Sequence, residues 1–319
     1  CTAMEITAKE ITAKACFSRW VGRLRRYRVL YLMLLPGVIY YVIFRFMPMY
    51  GVTLAFKDYD FTGGIIGSPW ATPAFKHFKL FMDSPYFGTL MKNTFSISFY
   101  MLIFSIFPPI ILAILLTECR GQRYRRFVQS VSFFPYFLSW VIIYGIMMAL
   151  LSQNNGLINR WLVELTGSSV PFLTSTKWFR SLLVISSIWR TTGFSTIIYI
   201  AAINNIDPAL YEAARTDGAS RMQCIWHITL PGIMSVITMM LTIRVGTVLD
   251  SSFEQVYVMS NVEVRSVGEI IDTWVYRTGL QQLNFSLASA VGLFKGVISC
   301  TLVLLSNYTS KKVTGEGIW

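Results

Sequence analysis

Charge is scarce in this chain. Only 14% of its 319 residues are Asp, Glu, Lys or Arg, while 54% are hydrophobic. A soluble domain usually carries about 25% charged residues, so too few polar side chains remain here to cover a water-facing surface. That excludes a disordered chain, a collagen-like chain and an ordinary soluble enzyme. Histidine is nearly missing: His77 and His227 are the only two. The five cysteines (Cys1, Cys16, Cys119, Cys224 and Cys300) are scattered, with no CxxC pair, which argues against a zinc site or a disulfide framework. No Gly is followed by Lys, so the GxxxxGK[ST] phosphate loop is absent and the chain cannot hydrolyse ATP by that chemistry. No signal peptide with a cleavage site is visible. The tandem EITAK repeat within Glu5 to Lys14 fits an amphipathic surface helix and points to no function.

Long apolar runs are what the chain has. A bilayer core takes about 20 apolar residues in helical form, and six segments qualify: Val29–Met49, Asn93–Thr117, Val131–Leu151, Ser181–Ile203, Gly232–Leu249 and Asn284–Ser306. The runs are long and lack strict alternation, which predicts a helical bundle rather than a barrel. Pro36, Pro108 and Pro109 fall inside spans, where neighbouring helices can re-satisfy freed carbonyls. The predicted fold is therefore all-α, a polytopic membrane bundle of six transmembrane helices.

Orientation follows from the basic residues. With the N-terminus inside, segments 1–28, 118–130, 204–231 and 307–319 hold 15 of the 28 Lys and Arg, and the three outside segments hold 9. Arg23, Arg25, Arg26, Arg28, Arg120, Arg123, Arg125 and Arg126 carry most of the bias. Both termini are expected in the cytoplasm, flanking a permease domain at 29–306, with a tail at 307–319. The formal charge of +12 is thus a membrane-rim feature, and nucleic acid explains it poorly.

The fourth connection, residues 204–231, reads as a capped helical hairpin. Asp207 is a good N-cap and Pro208 a good first residue. Gly218 stops the helix, Ser220 with Gln223 forms a capping box, and Pro231 closes the second helix. A short polar hairpin of this kind protrudes into the cytoplasm and suits a partner's cleft.

Glu212-Ala213-Ala214, Gly218 and Ile228-x-Leu230-Pro231 match the EAA motif of ABC-importer permease subunits at every anchor and spacing. The fuller stretch EAARTDGAS…ITLP resembles the carbohydrate-uptake branch. LYLMLLPG…FRFMPMYGVTLAFKDYDF, SPYFGTLMKNTFSIS and SSFEQVYVMSN resemble its polysaccharide-type subgroup. The resemblance covers nearly the whole chain after about Arg26. One departure is Ile225-Trp226, where the family often has Phe. The resemblance implies a coupling role for Glu212, Ala213, Ala214, Asp217, Gly218, Ile228, Leu230 and Pro231. It also implies a second homologous permease subunit, two cytoplasmic ATPase subunits that hold the ATP and Mg (none bound by this chain), and an extracytoplasmic solute-binding protein. The setting would be the bacterial inner membrane.

Four cations fall within spans, where an ionisable group costs at least ~2.5 kcal/mol and is a functional candidate by default. Arg45 reads as an interfacial anchor. Arg190, Arg244 and Lys295 are expected between the midplane and the outer face. Trp189 and Tyr199 are candidates to stack on sugar, and Thr191, Thr192, Ser195, Asn284, Ser286 and Ser289 add polar groups. These cations favour an acidic, alginate-like oligosaccharide, because Arg forks pair carboxylates well; structural pairing with Asp250 is the alternative. Val267 to Tyr276 has helical spacing that fits a short amphipathic helix at the outer rim, with a solvated loop as the equal alternative. An ion-coupled secondary transporter is the competing reading, but it wants internal repeats and intramembrane carboxylates, and only Asp250 stands near a span. A membrane-embedded enzyme fits two histidines outside the spans less well.

Overall fold

The computed structural model describes residues 26–250 and 252–314, so the EITAK repeat, Arg23 and Arg25 lie outside the described residues. Among the described residues the chain is helical, with no strand beyond an isolated bridge between Lys57 and Trp70. Four helical stretches are long and apolar enough to cross a membrane, or six if each of two bent pairs counts as one span.

The first stretch, Arg28–Phe56, starts as helix α1 (Arg28–Tyr41) and continues through a π turn and a 3-10 segment at Met47–Phe56. It runs past the expected end at Met49. None of α1 is buried, whereas Leu54 and Ala55 are, because only the 3-10 segment packs on the last helix. The second stretch, Phe87–Glu118, divides into α2 (Phe87–Phe104) and α3 (Phe107–Glu118). Pro108 and Pro109 sit in the first turn of α3, where a missing N–H has no intrahelical partner to lose.

The third expected span is not one helix. α4 (Gln122–Phe133) leads through a 3-10 turn to Phe137, and α5 (Trp140–Leu151) leaves at an angle of 107°. Pro135 and the N-cap at Ser139, whose Oγ accepts from Ile142 N at 3.4 Å, restart the helix. Twelve residues of α5 rise only about 18 Å, too little to cross a ~30 Å core alone. α6 (Leu157–Thr166) follows. The 29-residue α7 (Thr176–Asn204) is the central post, packed by α2, α3 and α4. It starts five residues before the expected Ser181, which puts Arg190 at its midpoint.

The hairpin comprises α8 (Pro208–Thr216) and α9 (Arg221–Cys224), and α10 (Met234–Thr247) departs at 56°. α11 (Ile271–Tyr276) is shorter than the predicted helix. Glu269 and Ile270 are extended, and Ile270 and Ile271, on the expected apolar face, are buried. α12 (Phe285–Thr314) runs eight residues beyond the expected Ser306.

Apolar packing falls in three groups along the bundle. Ile97, Met101, Trp140, Ile143, Leu182 and Leu183 form the first, Ile110, Leu116, Tyr199, Ile203 and Ile233 the second, and Phe81, Leu90, Ile271 and Val291 the third. In lipid, helices associate through close contact rather than hydrophobic gain, so small residues mark the tightest crossings. Gly193 is one: a Cβ there would lie 2.0 Å from the Ser132 carbonyl oxygen. Gly292, in α12, would meet nothing within 4 Å. We expect Gly193→Ala to lower the melting temperature of the purified protein by several degrees while Gly292→Ala leaves it within one or two. Equal melting curves for the two variants would remove the α4–α7 crossing as a determinant of stability.

Candidate functional site: an arginine-lined cavity and a capped hairpin motif

The break between α4 and α5 leaves backbone groups unpaired at the depth of the α7 midpoint. Arg190 supplies a partner: its Nε donates to the Leu138 carbonyl at 3.1 Å. Its guanidinium carbon lies 4.7 Å from the Trp140 ring centroid and 6.0 Å from that of Tyr136. Both rings come from the broken segment, so the kink and the cation hold each other in place.

Arg190 lines a cavity of about 440 Å³, together with Tyr136, Trp140, Thr191, Phe194, Ser195 and Arg244. Arg244, from α10, donates to Ser195 Oγ at 2.9 Å. Tyr136 and Phe194 stack at 4.2 Å and form an aromatic floor. Neither arginine pairs with a carboxylate among the described residues. The cavity therefore carries two cations beside flat aromatic faces.

The structure brings three of the six expected pathway residues into this cavity: Arg190, Arg244 and Thr191. Thr191 Oγ1 donates to the Ser187 carbonyl at 2.8 Å, and Thr192 to that of Ile188, so both hydroxyls are satisfied within α7. Trp189 is exposed on another face, and Tyr199 is buried in the second apolar group. Tyr136, Trp140 and Phe194 supply the aromatic surface instead. For Tyr136 and Trp140 the sequence signal is the aromatic cluster Phe133 to Trp140 around Pro135; Phe194 lies outside it, with no such signal.

Lys295 and Asn284 are elsewhere. Lys295 is buried in α12, with Nζ 2.5 Å from Asp250 Oδ1 and 2.5 and 2.6 Å from the Asp272 oxygens. Its charge is spoken for, and it crosslinks α11, α12 and the end of α10. Asn284 lines a smaller hollow with Asp58 and His77 and caps α12, its Oδ1 accepting from Leu287 N at 3.2 Å. Ser286 Oγ donates to the Lys57 carbonyl at 2.6 Å. The nearby outer segment is likewise ordered by ion pairs and carbonyl contacts. Lys57 Nζ donates to the carbonyls of Ile65 and Ile66 at 2.8 and 3.0 Å, and Lys76 pairs with Asp58 at 2.9 Å. That Lys76 contact, with His77 beside it, holds the Asp58 carboxyl below its usual range.

The hairpin forms as its residues dictate. Asp207 Oδ1 accepts from Ala209 N at 2.9 Å. Gly218 has φ +82°, and Ala219 N donates to Ala214 O at 2.9 Å while Gly218 N donates to Arg215 O at 3.1 Å, the paired closure of a left-handed C-cap. Ser220 and Gln223 form the predicted capping box. Pro231 does not end the second helix, which runs through Gly232. A proline there clashes with the carbonyl four residues back and gives it no N–H. The preceding turn, Ile225–Thr229, accordingly widens to a π turn, with Leu230 N donating to Ile225 O. Tyr211 Oη meets Thr229 Oγ1 at 2.9 Å and clamps the two arms. Glu212, Ala213, Asp217 and Gly218 are exposed; Ala214, Ile228 and Leu230 are half-buried. Leu210, Met222 and Trp226 are also exposed, so the tip carries an apolar patch beside Glu212.

A polytopic helical bundle with a protruding EAA hairpin and no phosphate loop is the build of a transport permease. The chain matches the family described as "Binding-protein-dependent transport system inner membrane component" over residues 13–314, and it belongs to that family. It is 45% identical to the polygalacturonan/rhamnogalacturonan transport system permease protein YteP of Bacillus subtilis (strain 168) over 94% of this chain and 93% of that one. It is 42% identical to protein LplB of the same organism, over 94% of each. A chain in the crystal structure of a bacterial ABC transporter involved in the import of the acidic polysaccharide alginate superposes with a TM-score of 0.86 at 37% identity, covering 93% of this chain and 99% of that one. The protein is thus a membrane permease component, not an enzyme; ATP hydrolysis in such systems belongs to separate subunits.

Breaking a buried ion pair by removing one partner costs on the order of 3–5 kcal/mol. Lys295→Met should therefore lower thermal stability markedly, and Asp272→Asn added to it should restore part of the loss. Burial already pushes the Asp272 carboxyl above its usual range, with Lys295 opposing that push. Removing Lys295 leaves the pKa higher still. A carboxyl whose pKa is raised in the folded state penalises folding increasingly as pH climbs from its unfolded pKa to its folded one, and not below its unfolded value. The melting-temperature gap between wild type and Lys295→Met should widen from mildly acidic to neutral pH; a gap independent of pH refutes this account of the cluster.

Proposed function

We propose that this chain is one permease half of an ATP-driven, binding-protein-dependent importer of oligo- or polysaccharide, and that its substrate is acidic, of the uronate type. The observation that carries the charge preference is the pair Arg190 and Arg244. They share one cavity without a carboxylate partner among the described residues, whereas Lys295 has two. An uncompensated cation at span depth costs about 2.5–3.5 kcal/mol on insertion scales. A sugar carboxylate entering the cavity supplies the missing countercharge, and guanidinium forks pair with it bidentately. Tyr136, Trp140 and Phe194 offer flat faces for the apolar side of the rings. The related proteins named for polygalacturonan/rhamnogalacturonan and alginate transport support the same substrate class.

Six spans then follow if each bent pair crosses once, with both termini and the hairpin in the cytoplasm of a bacterial inner membrane. A second homologous permease subunit completes the pathway. Two ATPase subunits binding ATP and Mg seat the hairpins, and an extracytoplasmic solute-binding protein delivers the sugar. A related crystal structure is described as a bacterial alginate ABC transporter in complex with an alginate pentasaccharide-bound periplasmic protein, which supports the last partner. Glu212 and the exposed Leu210, Met222 and Trp226 contact the ATPase. Closure of the ATPases draws the hairpins together and switches the cavity between the two sides.

The test is ATPase activity of the co-purified complex in proteoliposomes with neutral and uronate oligosaccharides. Uronates should stimulate wild type. Glu212→Lys should abolish the stimulation. Arg190→Lys and Arg244→Gln should each raise the half-maximal uronate concentration about tenfold, equivalent to ~1.4 kcal/mol, with little change for neutral sugars. Stimulation by neutral sugars alone removes the acidic preference; transport driven by an ion gradient without any ATPase removes the importer itself.

A further inference from the structure

α4 and the 3-10 turn that follows it to Phe137 carry a feature that neither the cavity nor the hairpin uses. Tyr124, Phe127, Val131, Phe134 and Phe137 are spaced at three and four residues and are all more than half exposed. The opposite side of the same helix packs inward: Val128 lies against the second apolar group, and Phe133 stacks parallel to Phe194 at 6.1 Å. With Ser132 against Gly193, three residues from the midpoint of α7, the exposed stripe climbs from the end of α3 to mid-span depth. It covers about 20 Å of rise.

At the foot of the stripe stand four arginines within seven residues: Arg120, Arg123, Arg125 and Arg126. Arg120, Arg123 and Arg126 are exposed, and Arg125 is half-buried. None of the four pairs with a carboxylate among the described residues; the nearest acidic residue in sequence, Glu118, faces Arg221 at 3.9 Å. A cationic turn directly continuous with a lipid-depth apolar stripe has the two-part chemistry of a phospholipid: a phosphate at the interface and an acyl chain beneath it. A soluble ATPase can reach the arginine turn but not Val131 or Phe134 at span depth. A second permease could cover the stripe only by also bringing carboxylates to the arginine turn.

We propose that α4, with the turn that follows it, is a binding site for an anionic phospholipid of the cytoplasmic leaflet. The headgroup phosphate lies on Arg123 and Arg126, and an acyl chain runs along Phe127, Val131 and Phe134. This rests on the orientation given under Proposed function, since it places the foot of α4 on the cytoplasmic side. Arginine suits the role because its planar fork pairs bidentately with phosphate oxygens.

The test is native mass spectrometry of the complete permease–ATPase complex extracted from bilayers of equal phosphatidylglycerol and phosphatidylcholine. Wild type should retain phosphatidylglycerol preferentially. The double variant Arg123→Gln, Arg126→Gln should lose that preference at least tenfold, and Arg123→Lys, Arg126→Lys should keep most of it. Phe127→Ser with Val131→Ser should reduce retention while the arginines stand. ATPase content, read from the same spectra, checks assembly. Unchanged phosphatidylglycerol retention in the Gln variant overturns the proposal. So does loss of the ATPase subunits from that variant with lipid retention intact, which assigns the arginine turn to the ATPase. Glu212→Lys separates the two readings: it should release ATPase without altering bound phosphatidylglycerol, so failure of the coupling assignment leaves the lipid result legible.

Discussion

A helix that breaks at mid-span must find hydrogen-bond partners for its freed backbone, because lipid offers none. In this permease the break falls between Phe137 and Trp140, and the carbonyl of Leu138 is answered by Arg190 from the neighbouring post. Much of the site depends on that bond. It fixes the 107° turn, which swings Tyr136 and Trp140 around the guanidinium and gives the cavity its aromatic faces. It also anchors one end of Arg190, leaving the rest of a charged fork beside open volume. The same residue therefore holds the scaffold and presents the charge.

Charge is distributed unevenly around this centre. Near the other end of the bundle the cations are neutralised within the chain: Lys295 by Asp250 and Asp272, Arg277 by Glu269 at 2.7 Å, Lys76 by Asp58. Burial holds the Glu269 carboxyl above its usual range against the pull of Arg277, so this pair too is a largely desolvated one. Arg180 is tied to Asn93 Oδ1 at 2.8 Å and to the Val267 carbonyl. In the cavity and at the foot of α4, by contrast, arginines stand without carboxylates among the described residues. Paired charges crosslink helices; the others are left for the ligands proposed above.

The hairpin shows how far local rules reach. Asp207, Pro208, Gly218, Ser220 and Gln223 act within a few residues of themselves, and each does in the structure what its chemistry demands. Pro231 departs from its simple reading because a π turn absorbs its clash more cheaply than a helix end would. α11 departs for a different reason: spacing predicts a helix over Val267 to Tyr276, yet Asp272 is drawn onto the buried Lys295 and the helix starts only at Ile271.

The sequence by itself determined the membrane setting, the all-helical class, the capped hairpin and a short set of candidate cavity cations, since hydropathy, capping and the cost of an intramembrane charge are properties of short windows. It did not determine which cation is free. Arg190, Arg244 and Lys295 look alike along the chain, and they differ only in what packing brings against them. Helix rotation sets that, and rotation is decided by contacts between residues far apart in sequence. Trp189 points away and Tyr199 is buried for the same reason. Tyr136, Trp140 and Phe194 converge on Arg190 because a backbone break in one helix needed a donor from another. No single window of sequence contains both halves of that bond.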